Sequence, residues 1–158
     1  MKWILMTTAI IVAIPALMAL IGLALPVAHV ATRTATVPAK PGDLYQKIAG
    51  PSDWRGVKYE PLSPTQWRET EGHNAIVYQR VESTPPSRIV NRIADKALPF
   101  GGTWTYEIAP SGAGSRLTIT ENGEVYNPLF RFVSRFIMGH TASIDKYLAA
   151  VAKAYAGR

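Results

Sequence analysis

Glu121 and His140 are the two residues of this sequence whose types and neighbours could do chemistry. Glu121 falls in the alternating run Leu117, Ile119, Glu121, Gly123, Val125, and His140 in the stripe Phe136, His140, Ile144, Tyr147. Strand and helix periodicities turn both towards an interior. A carboxylate taken out of water is costly unless paired or hydrogen-bonded, so an inward Glu121 requires a partner. Facing His140 across a cavity, it could hold the polar head of a ligand, or the two could form an acid/base pair that moves a proton in cyclisation or dehydration. The plainer readings are a structural bond from Glu121 to Arg92, Asn91 or a tyrosine, or a one-residue register slip that puts it in solvent. Trp104, Tyr106, Phe136 and Tyr147 lie on the same inward faces, as cavity walls or as plain core. These six are the candidate ligand-binding residues, and no catalytic residue is assigned.

Other chemistry is thin. Cysteine is absent, which removes disulfides, thiol nucleophiles, cysteine zinc sites and iron–sulfur ligation. No G-x-S-x-G elbow, phosphate-binding loop, dinucleotide glycine pattern or H-E-x-x-H is present. Gly112-Ala113-Gly114 reads as a hairpin turn. The histidines, His29, His73 and His140, are far apart in the chain. Glu71 and His73 share a strand face, but two ligands at a turn do not make a metal site. Neither a metal nor a cofactor is therefore expected. Lys and Arg total 17 against 11 Asp and Glu, a net charge of +6, yet they are scattered with no run of five. Nucleic acid is thus not an expected partner, and a mild attraction to phospholipid head groups is the better reading. Arg131 and Arg135 read as a solvated helix face, with membrane-surface contact as the sharper alternative.

The elements that must position these residues follow from the patterning. With 47% hydrophobic and 18% charged residues, the chain reads as one folded domain with a greasy insert. That insert runs uncharged from Trp3 to Leu25 and as a helix reaches about 34 Å, enough to cross a hydrocarbon core of roughly 30 Å. It spans a membrane or is a signal peptide. Its best cleavage site, Gly22-Leu23-Ala24, is poor, which favours an uncleaved anchor over residues 1–26. Lys2 on one flank and Arg33 and Lys40 on the other lean towards a cytoplasmic N-terminus. The expectation is a single-pass membrane protein whose domain, residues 27–158, lies on the extracytoplasmic side.

Ala28 to Val37 predicts a first strand. Asp43 to Ile48 predicts a short helix capped by Asp43, and Ser52 caps a helical turn through Asp53, Trp54 and Arg55. From Val57 to Tyr126 the period is two, which predicts strands at 57–62, 65–71, 75–83, 87–97, 103–110 and 115–126, consecutively paired as hairpins. Asn127-Pro128 starts one long amphipathic helix through Tyr155, with Gly139 as a point of bending.

This order resembles the START-related SRPBCC superfamily, which includes polyketide cyclase-like proteins, over about Val27 to Arg158. Three segments carry the resemblance: Asp53-Trp54-Arg55; Leu98-Pro99-Phe100-Gly101-Gly102-Thr103-Trp104-Thr105-Tyr106-Glu107; and Thr120-Glu121-Asn122-Gly123-Glu124-Val125-Tyr126-Asn127-Pro128-Leu129-Phe130-Arg131-Phe132. The last two are similar to a bacterial branch of the superfamily. The resemblance implies an α+β helix-grip fold, a seven-stranded curved antiparallel sheet around a long C-terminal helix, here preceded by one transmembrane helix. It also implies a cavity between sheet and helix for lipids, sterols, polyketides or other apolar molecules. Members include carriers, sensors and a minority of cyclases and hydrolases, so fold alone does not choose among them. The leading expectation is a membrane-anchored, non-catalytic binding domain for a hydrophobic small molecule or lipid. The alternatives are a cyclase or dehydratase and an interaction module with a vestigial cavity.

Overall fold

The alternating segments form seven strands in the computed structural model, which describes residues 2–156, with side chains at Trp3 and from residue 11 to 156. The strands are β1 (Ala28–Val37), β2 (Lys58–Pro61), β3 (Gln66–Glu71), β4 (Asn74–Thr84), β5 (Arg88–Ile93), β6 (Phe100–Ser111) and β7 (Gly114–Val125). Each pairs antiparallel with its neighbour in one curved sheet of order β1-β7-β6-β5-β4-β3-β2. Five consecutive hairpins account for β2 to β7, because short turns leave no route except to the adjacent position. Between β1 and β2, helix α2 (Pro41–Ala49) and a single 3-10 turn (Asp53–Arg55) carry the chain from one sheet edge to the other. Pro41 occupies the first turn of α2 and Asp43 lies inside that turn rather than at the cap, which is Lys40. Ser52 precedes the 3-10 turn without a capping hydrogen bond.

Register fixes which side chains face inwards. Leu117, Ile119 and Val125 of β7 are buried, as are Tyr106 and Ile108 of β6, so the inner face of both strands is the one the alternation selects. Trp104 lies opposite Glu121 across the β6–β7 pair, and His29 lies opposite Gly123 across the β1–β7 pair. The core they build takes in Leu44, Tyr45 and Ile48 of α2 on one side and Ile144, Tyr147, Val151 and Tyr155 on the other.

The long C-terminal helix is not continuous. It divides into α3 (Pro128–Val133), a π-helical segment (Ser134–Met138) and α4 (Ala142–Tyr155). Asn127 caps α3, its side-chain oxygen accepting from the Phe130 N–H at 3.2 Å. Gly139 ends the π segment at φ +78°, a conformation no helix can continue through. The single apolar stripe expected from Phe136 to Tyr147 is therefore split into two faces. Of the three pieces α4 supplies the buried face: Ile144, Val151 and Tyr155 face the core, while Ser143, Lys146, Tyr147 and Ala150 recur at helical spacing towards a cavity.

The membrane expectation is overturned. Helix α1 covers Lys2–Ala24, but among the described residues no helix is long and apolar enough to cross a membrane. The C-terminal end of α1 is also occupied. Arg131 donates to the carbonyls of Gly22 and Leu25 at 3.2 Å each, a cation on the negative end of the helix. The Gly22 backbone lies so close to Pro128 that a Cβ there would clash with the Pro128 carbonyl, so α1 is docked on α3. The expected anchor over residues 1–26 thus finds no spanning helix among the described residues, and the extracytoplasmic placement that rested on it falls with it.

Candidate functional site

Between the inner face of the sheet and α4 lies a cavity of about 610 Å³, within the volume range of small-molecule sites. Its middle is aromatic. Trp104 and Tyr106 project from alternate positions of β6 and meet Tyr147 of α4, with ring centroids 5.9 and 5.4 Å from the tyrosine. Three of the residues expected as cavity walls are thus brought together. Phe136 is not: it stands 59% exposed, packs on Phe132 and does not line the cavity.

The floor is a charged pair enclosed by rings. Arg55 Nη2 donates to Glu69 Oε2 at 2.5 Å, and the Trp67 indole N–H donates to Glu69 Oε1 at 3.0 Å. The guanidinium sits 4.9 Å from the Tyr147 ring centroid, a cation–π distance. Burial alone would lower the Arg55 pKa, but Glu69 and the tyrosine hydroxyls more than offset this and raise it. Burial pushes the phenols of Tyr78, Tyr106 and Tyr147 up, so all three are neutral hydroxyls at physiological pH. Ser52 Oγ, Trp54 Nε1 and Arg55 Nε are buried without a partner and line a second hole of about 20 Å³.

At the opposite end three elements converge. Glu121 Oε1 of β7 lies 3.9 Å from His29 Nε2 of β1. The His29 ring stacks on His140, centroids 4.0 Å apart at 19°, and His140 Nδ1 is 3.1 Å from the Ser134 hydroxyl. Glu121 and His140 therefore face the same interior through His29 rather than as a direct pair. The plainer partners for Glu121 are committed elsewhere: Arg92 donates to Gln79 and Asn91 accepts from Arg80. A Cβ at Gly123 would fall on the His29 imidazole, so glycine at this position is what lets the ring lie over β7.

Burial raises the Glu121 pKa, opposed by the cross-strand Trp104 indole. The His29 pKa is lowered by burial and then by His140; that of His140 is lowered by burial and then by Arg135. Both imidazoles are consequently neutral at pH 7 and the His29–Glu121 contact is not an ion pair there. For each histidine the folded value lies below the unfolded 6.5, so the unfolded chain takes up protons first. Stability is fully present above pH 6.5 and is lost as pH falls through the lowered values. The melting temperature should drop on acidification from pH 7 to 5, and the drop should shrink in His29→Phe. An identical pH profile in wild type and variant would contradict the buried stack. Glu121 acts in the opposite direction, its raised value costing stability as pH rises past 4.5.

Sequence reasoning passed over His29, Arg55 and Glu69. Arg55 had a signal in Asp53-Trp54-Arg55, but nothing in the sequence pairs it with a residue 14 positions on. Glu71 is held by Lys146 at 2.6 Å across the cavity rim, and among the described residues no cluster suits a metal ion.

No family model matches the chain, and no curated protein matches it in sequence. Solved structures do match. A conserved protein from Geobacillus kaustophilus superimposes with a TM-score of 0.68 at 14% identity, over 81% of this chain and 95% of that one. A START superfamily protein from Mycobacterium smegmatis gives 0.65 at 13% identity, over 81% and 97%. Ara h 8.0201 gives 0.59 at 9% identity, over 82% and 96%. At such identities the likeness is one of fold: the chain has the START-like helix-grip architecture, an α+β fold with a curved antiparallel sheet and a C-terminal helix.

Proposed function

We propose that residues 27–158 form a binding domain that encloses one hydrophobic small molecule or lipid between the sheet and α4. The observation that carries this reading is the 610 Å³ cavity walled by Trp104, Tyr106 and Tyr147. That volume stands beside a complete core, walled by side chains rather than filled by them. Glu121 and His140, with His29, supply the polar end; Phe136 is left out of the site. The volume also argues against a vestigial cavity. Convergence of Glu121 and two neutral imidazoles supports a second reading, a cyclase or dehydratase in which Glu121 moves a proton. Under that reading Glu121→Gln would cut turnover of a polyketide-like substrate by about 100-fold or more with binding retained.

The binding reading is tested with a neutral apolar fluorophore, N-phenyl-1-naphthylamine, titrated into the full chain. One saturable site per chain is expected. Non-saturating partition, or no enhancement at all, would reject it.

A further inference from the structure

The polar end of the cavity discriminates among head groups. The described residues lining the cavity include three cations, and each is engaged: Arg55 with Glu69, Lys146 with Glu71, and Arg92 with the Gln79 side-chain oxygen. Of the lining carboxyls, Glu69 and Glu71 hold those cations and Glu124 accepts from the Tyr126 hydroxyl at 2.7 Å. Glu121 differs: what bears on it across the strand pair is the Trp104 indole, not a cation. Its Oε2 is sealed from solvent without a hydrogen-bond partner, and its Oε1 lies 3.9 Å from His29 Nε2, too far for a direct hydrogen bond.

That gap has the size of one bridging oxygen. A hydroxyl oxygen about 2.8 Å from each atom spans 3.9 Å with an angle near 90°. A hydroxyl both donates and accepts, so it satisfies Glu121 and His29 whichever of them carries the proton. A carboxylate placed there would set a second acceptor against Glu121, and the lining cations Arg55 and Lys146 are held by Glu69 and Glu71. Stacking on His140, which is tied to the Ser134 hydroxyl, holds the His29 ring in position. We infer that the Glu121–His29 gap is a head-group site for an alcohol, so that the ligand is an apolar molecule ending in a neutral hydroxyl and not a fatty-acid anion. This deepens, and rests on, the reading of the cavity as an apolar binding site.

The test is calorimetric titration of the full chain at pH 7.5 with two ligands of equal chain length, 1-decanol and decanoate. Decanol is expected to bind roughly 10-fold tighter or better, the worth of about one hydrogen bond gained and one repulsion avoided. Glu121→Leu, which removes the carboxyl at similar volume, should bring the two affinities together. Decanoate binding as tightly as decanol to the wild type would overturn the alcohol assignment while leaving the apolar site standing. So would a decanol preference unchanged in Glu121→Leu. If neither ligand binds, the binding reading itself fails.

Discussion

Glu69→Ala should lower the unfolding free energy by about 3 to 5 kcal/mol, the cost of leaving a buried charge uncompensated. Its side chain is 12% exposed and that of Arg55 19%, so water does not screen the pair. Removing the carboxylate strands two donors at once, the Arg55 guanidinium and the Trp67 indole N–H. The guanidinium's other close neighbours are the rings of Trp54 and Tyr147, and Glu71, which also feels its charge, is held at the rim by Lys146. Replacing both partners with apolar residues of similar volume, Arg55→Met with Glu69→Leu, should cost less than Glu69→Ala alone, since no bare charge remains. Urea unfolding of the three proteins measures this. A double variant as unstable as the sum of its single changes would mean that the two side chains act independently and that the floor is not a coupled pair.

Ala150→Trp should weaken N-phenyl-1-naphthylamine binding by roughly 100-fold. Ala150 lies one helical turn beyond Tyr147 on the cavity face of α4, so an indole there projects into the space the probe would fill. Taking on the order of 100 Å² of apolar contact from the ligand costs about 2.5 kcal/mol, close to two decades of affinity. Because the ring enters open volume instead of packed core, unfolding stability should change by less than the ~1 to 3 kcal/mol typical of overpacking. Probe binding unaffected by this change would place the bound molecule outside the cavity, with the exposed apolar residues of α1 as the obvious competitor.

The sheet was largely legible because a period of two needs no tertiary information. Its Thr and Val content marks the first strand at Ala28–Val37, as observed, and alternation alone turns Glu121 inwards. What was not legible depends on contacts between distant segments. His29 gains its role from the β1–β7 pairing, which puts it over Gly123, and Arg55 meets Glu69 only once the 3-10 turn lies against β3. Phe136 was misplaced for a local reason. A π segment closes its hydrogen bonds over one more residue than an α-helix, so Ser134–Met138 shifts the phase of the stripe and turns Phe136 to the surface. Hydropathy counted the uncharged run of α1 as an anchor, but could not show Arg131 and Pro128 closing on its last turn.

The central claim is that the cavity holds one apolar molecule, and native mass spectrometry of the full chain purified from its own cells tests it most directly. The account expects a single adduct of small-molecule mass on the wild-type chain, extractable into organic solvent and absent from Ala150→Trp. A wild-type chain that is ligand-free by mass under these conditions, and stays so after incubation with a lipid extract of the same cells, would contradict it.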